Sequence, residues 1–231
     1  MLRHLLLLAL WTVCAILPGA AILAETPDIP TGYPTLDALA EVVIPPADPV
    51  DLALRLRGLE FVPVPPTEPP VLNVGDTAEF WVTNDAESRT FAVTAVLQGL
   101  GQHVAVWVQR GDKLDAESLV ALIEAFDTRI YEPVRALWGS EATPGVDGDP
   151  RLHVLFARDL GPFTAAYFAR RHTFPESVYP FSNAREMFFV NLDVYSTTPS
   201  LPSLESTLAH EFQHMIRAHV DPNEDTWLNE G

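Results

Sequence analysis

The sequence predicts an α+β domain built on a mixed sheet, and three observations carry that prediction. Five runs are rich in β-branched and aromatic residues: residues 78–82 (AEFWV), 89–97 (RTFAVTAVL), 103–109 (HVAVWVQ), 151–157 (RLHVLFA) and 186–194 (EMFFVNLDV). Two longer stretches carry apolar residues at helical spacing, one opening at Asp115 and one running through His210 to Val220. Beyond residue 103 the order is strand, helix, strand, which calls for a mixed sheet covered on one face by helices.

Composition narrows the classes. Apolar residues make up 48% of the 231, which excludes a mainly disordered chain and suffices for a sizeable core. A formal net charge of −17 argues against nucleic acid or an anionic membrane surface as partner. Residues 1–24 read as a secretory signal peptide: Arg3 gives the positive start, Leu5 to Leu17 the apolar run, and Gly19, Ala20, Ala21 and Ala24 the small-residue exit. A secreted or extracytoplasmic protein follows, without membrane contact once the leader is removed. Cys14, the one cysteine, lies in the leader, so the mature chain has neither disulfide nor thiol nucleophile.

Taken in order, residues 25–70 form a proline-rich arm or propeptide-like linker, because proline cannot donate to a sheet ladder and favours extended chain. Within it, residues 49–58 (PVDLALRLRG) are a short helical pattern with a start signal at Asp51 and a stop at Gly58. Residues 71–102 are a β-rich segment that opens at the turn Asn73-Val74-Gly75-Asp76, and residues 103–231 are the principal domain. Asp115 caps a helix with Leu119, Leu122, Ile123, Phe126 and Ile130 on one face, which Pro133 is expected to kink or restart. Residues 143–150 (TPGVDGDP) are a loop. Asp147 and Asp149 are hard oxygen ligands spaced as in calcium loops, but the twelve-residue EF-hand pattern is missing, so a turn is favoured over a Ca2+ site. His103 and His153 read as strand residues, and His172, beside Arg170 and Arg171, as exposed. Ser203 is the expected cap of the last helix, with Glu205 in its first turn.

The chemistry concentrates in residues 208–231. His210, Glu211 and His214 form an H-E-x-x-H pattern; at about 100° per residue the two imidazoles leave one helix face one turn apart and can grip one ion. Glu211 is too close along the chain for a good third ligand but within reach of a metal-held water, the position of a general base. Leu208, Phe212, Met215 and Ile216 form the opposite stripe, to be buried on a sheet. A catalytic Zn2+ needs a third protein ligand. The extension H-E-x-x-H-x-x-G-x-x-H would require Gly at 217 and His at 220, where the chain has Arg217 and Val220. His219 falls about 180° from His210, toward the packed side, and is rejected. Glu230 is the better third ligand, a carboxylate able to fold back over the first helix.

AHEFQHMI followed by WLNEG resembles the gluzincin metallopeptidases, most closely the hyicolysin-like neutral zinc peptidases; the WLNEG portion is also similar to aminopeptidase N-like enzymes. The resemblance extends through residues 144–156 and 182–191. It implies a zincin-like catalytic domain, a zinc endopeptidase acting on protein or peptide substrates, with His210, His214 and Glu230 as ligands of one Zn2+ and Glu211 as catalytic base. It also implies that Met187 to Asn191 line the substrate groove. Because the expected third ligand stands one residue before the last, the domain is expected to be truncated at its C-terminal side. Two other readings stay open on the residues alone: a secreted non-catalytic binding or surface protein whose metal pins the helix, and a zinc hydrolase of a non-peptide bond.

Overall fold

The computed structural model describes residue 35 and residues 48–222. The expected leader with Cys14 and the candidate ligand Glu230 lie outside the described residues. The chain divides into compact units between Pro45 and Pro46, so everything below belongs to the second of them.

Helix α1 spans Pro49–Leu56. Its cap is Asp48, whose carboxylate accepts from Val50 N at 2.8 Å, while Asp51 sits in the first turn and pairs with Arg55. The helix therefore starts before the Asp51 signal, because Pro49 already has the backbone angle of a first helical residue. Residues 59–72 carry no helix or strand.

Six strands form one sheet in the order β1-β2-β3-β4-β6-β5: β1 Thr77–Asn84, β2 Arg89–Leu100, β3 Val104–Gln109, β4 Leu152–Ala157, β5 Ala166–Phe168 and β6 Met187–Asn191. The first three are antiparallel neighbours, β3, β4 and β6 are parallel, and β5 closes the sheet antiparallel to β6. β1 and β2 alternate buried and open positions over much of their length, as strands with one wet face do, whereas β4 and β6 are buried at every residue and so read as unbroken apolar runs. The expected boundary at 102/103 is not a break: residues 77–100 supply two strands of the same sheet. β5 is not among the expected strands, since three residues are too few to show a period. The last expected strand stops at Asn191, whose side-chain oxygen accepts from Asp193 N and turns the chain into the short helix α4, Leu192–Tyr195.

The middle helical stretch is α2, Ala116–Ala125, a π-helical turn over Phe126–Ile130, and α3, Tyr131–Trp138. Asp115 caps it as expected, accepting from Ser118 N at 3.0 Å. The irregularity expected at Pro133 is absorbed upstream: Tyr131 N–H reaches back to Phe126 O, five residues away, so the helix changes register before the proline that lacks a donor.

The last helix, α5, spans Leu201–Val220 and begins at Ser200, not at the expected Ser203, because Pro202 is tolerated in a first turn. Glu205 is thereby beyond the first turn and pairs with Arg129 at 2.6 Å instead. Leu204, Leu208, Phe212, Met215 and Ile216 are buried against the helix-covered face of the sheet. Phe212 stands 6.0 Å from Phe126, 5.7 Å from Tyr131 and 6.1 Å from Phe188, ring centre to ring centre. The other face of the sheet has its own core around Phe80, Trp107, Leu155 and Phe189. Replacing Phe212 by Ala removes the ring at the meeting point of α5, the π turn and β6. Chemical denaturation should register a loss of about 3–5 kcal/mol.

Candidate metal centre

Burial of the apolar stripe leaves His210 and His214 on the outward face of α5, His210 exposed and His214 half-buried. Their Nε2 atoms converge to 2.9 Å, with rings 4.3 Å apart at 81°. Two lone-pair nitrogens this close can both touch one ion at the roughly 2.0–2.1 Å of a zinc–imidazole bond, so the donor pair fits zinc. The same spacing serves as a hydrogen bond when one ring carries its proton on Nε2. Glu211, a third of a turn from His210, is buried. Among the described residues no group of three or more His, Cys, Asp or Glu side chains is gathered for a metal; a third ligand has to come from elsewhere, and the expected one, Glu230, lies outside them.

The other histidines divide differently. His103 stacks on Tyr131, rings 3.8 Å apart and 12° from parallel. His153 is buried in β4; its Nδ1 accepts from the Trp107 indole N–H at 3.0 Å, and its Nε2 lies 3.2 Å from Asp147 Oδ2, close but not aligned as a hydrogen bond. His172, expected exposed, is fully buried. The 3₁₀ turn Arg170–Thr173 tucks its ring 4.9 Å from Phe189, where Nδ1 accepts from Asn183 N at 3.1 Å. Burial, helped by the Arg171 charge, lowers its pKa to about 3, so it is neutral. His219, expected on the packed side, is exposed, in the last turn of α5.

Two further expectations change. Met187 to Asn191 cannot line a groove as an added-strand partner: β6 is wholly buried and hydrogen-bonded to β4 on one side and β5 on the other. The outer strand on that side is β5. At the TPGVDGDP loop, Asp149 is engaged by Arg151 through two bonds of 2.8 Å, and Asp147 Oδ1 accepts from Asp149 N. These carboxylates build a turn and do not present a pair of open oxygens to calcium.

Glu186 escaped the sequence reading, which took it as the charged start of an apolar strand. It is 3% exposed, and its carboxyl accepts from Val146 N at 3.1 Å, against a Gly145 whose φ of +82° and lack of a side chain leave it room. Burial foremost, then the neighbouring Asp147 charge, pushes its pKa up to about 8.

No family model matches the chain. Over 177 residues it is 27% identical to the neutral metalloprotease ShpI of Staphylococcus hyicus, a match covering 68% of this chain. The aligned part spans 38% of that protein's length. The chain thus resembles a metalloprotease, and its mixed α+β architecture is compatible with a protease domain. Among the described residues no helix is long and apolar enough to cross a membrane.

The Glu186 shift has a definite sign. Its folded pKa of about 8 exceeds the ordinary 4.5, so between these values the folded state holds a proton that the unfolded state has released. Its contribution is fully present below pH 4.5 and is lost as pH rises through 8, at up to about 1.4 kcal/mol per pH unit. Glu186→Gln should therefore gain stability relative to the parent between pH 5 and pH 8, measured by urea denaturation across that range.

Proposed function

We propose that this chain is a secreted zinc-dependent endopeptidase of the gluzincin type. The observation that carries the reading is the convergence of His210 and His214 Nε2 to 2.9 Å on the outward face of α5, with Glu211 between them in sequence. H-E-x-x-H followed by WLNEG, and the similarity to a neutral metalloprotease, support the same reading.

His210 and His214 would hold a zinc ion through Nε2, with Glu230 as its third ligand. A bound zinc ion contributes a Lewis acid and a water whose pKa is brought toward neutrality. Glu211 takes the proton of the attacking water and returns it to the leaving amine, as a carboxylate held near a reacting centre does in general acid–base catalysis. A peptide substrate adds as a strand to β5, the outer strand of the sheet beside α5, where main-chain hydrogen bonds align it irrespective of side chain. The leader delivers the protein outside the cytoplasm, and the apolar core and acidic surface suit it to that compartment without disulfides.

Casein digestion tests this reading. Glu211→Gln should retain zinc and lose roughly a hundred-fold or more in rate, the scale of a missing general base, and a chelator should abolish cleavage by the parent. Cleavage by Glu211→Gln at the parent rate would contradict the role given to that carboxylate.

A further inference from the structure

Just beyond His214 along α5, Met215, Ala218 and His219 line a cavity of about 250 Å³. Phe168 of β5, Phe174 and Glu186 also line the cavity. This is smaller than the roughly 300–1,000 Å³ of sites that take whole small molecules, a size that suits one side chain. The cavity touches both elements that the peptidase reading assigns to the substrate, since Ala218 follows His214 by four residues and Phe168 ends the outer strand.

Glu186 is the informative group. Buried carboxyls are held by cations or by several donors, since an uncompensated one is costly. Its neighbour Glu141 obeys that rule: Arg135 lies 3.3 Å away, and the Tyr131 and Thr143 hydroxyls donate at 2.9 Å each. Glu186 has the Val146 amide but no ion pair among the described residues. Arg185, next in the chain, turns away and lies over the Phe80 and Trp107 rings on the other face of the sheet. Arg170, which also lines the cavity, is engaged by the Phe174 ring at 5.4 Å and by Pro222 O at 3.4 Å. A buried carboxyl without a counter-ion, in a cavity walled by two aromatic rings, is complementary to a long side chain with a cationic end: apolar stem on the walls, charge on the acid.

We propose that this cavity is a specificity subsite for a lysine or arginine side chain of the peptide substrate, with Glu186 as its counter-ion. The peptide guest rests on the peptidase reading; the preference for an aliphatic cation rests on the cavity alone. A cation entering draws Glu186 into its charged form, so binding near neutral pH carries a proton release that no purely apolar pocket would give.

Two measurements keep the claims apart. In titration calorimetry on Glu211→Gln protein, butylguanidinium should bind at least ten-fold more tightly than butylurea, its neutral isostere. It should release up to one proton at pH 7, read from buffers of different ionisation enthalpy. Adding Glu186→Gln should remove both the discrimination and the proton release. Equal binding of the two probes would overturn the subsite whether or not the Glu186 variant folds. In parallel, the parent protein is given fluorogenic peptides carrying Arg or Leu at each position around the cleaved bond. A ten-fold or larger kcat/KM preference for Arg at one position, falling toward one in Glu186→Gln, upholds the subsite; cleavage without preference overturns it. Discriminating probe binding with no cleavage of any peptide upholds the subsite and refutes the peptidase reading.

Discussion

The burial of one side of α5 against the sheet is the constraint on which the rest of the molecule turns. Leu204, Leu208, Phe212, Met215 and Ile216 recur at intervals of three and four, and all five are at most 2% exposed. At about 1.5–3 kcal/mol for each fully buried side chain, rotating the helix by a quarter turn would forfeit of the order of 10 kcal/mol. That penalty fixes the rotation of the helix about its axis. Given the rotation, two histidines four residues apart must emerge together on the outward face, and the residue after the first must turn inward. The geometry of the donor pair is therefore a by-product of core packing, with the aromatic group of Phe126, Tyr131, Phe188 and Phe212 as its bearing surface.

Among the described residues, the buried acids outside α5 follow a consistent rule with one departure. The chain is strongly acidic, yet its buried or bridging carboxylates are matched: Asp149 by Arg151, Glu141 by Arg135 and Tyr131, and Asp112 and Asp193 by Arg158. The cost of these matches is visible at Tyr131, whose hydroxyl pKa is pushed up to about 12 by burial and by the Glu141 carboxylate it donates to. Glu186 departs from the rule, and it does so at a cavity beside the helix that carries the histidine pair. Where Glu141 and Asp149 are each paired with an arginine, a carboxyl left without a cation is more informative about function than any exposed charge.

Much of this was legible in the residues. Five of six strands, the Asp115 cap and the buried stripe of α5 follow from period and capping chemistry, because each rests on several residues reinforcing one pattern. What was not legible depends on contacts between segments far apart in sequence. β5 is three residues long and exists because β6 offers it a ladder; β6 is interior because β5 covers its other edge. His172 looks exposed beside two arginines, yet a 3₁₀ turn folds it onto Phe189. His219 lies on the stripe by angle yet is exposed and borders a cavity, a difference that helical phase alone does not encode. Glu186 reads as a strand boundary and becomes a buried acid only when Val146 and Gly145, forty residues earlier in the chain, close over it.

The donor pair is the centre of the account, and its most direct test is metal content. Protein exposed to excess zinc, desalted and analysed for metals should carry one zinc ion per chain, and His210→Ala and His214→Ala should each carry far less. Metal-free parent protein, or parent and variants holding equal zinc, would contradict the assignment of His210 and His214 as ligands.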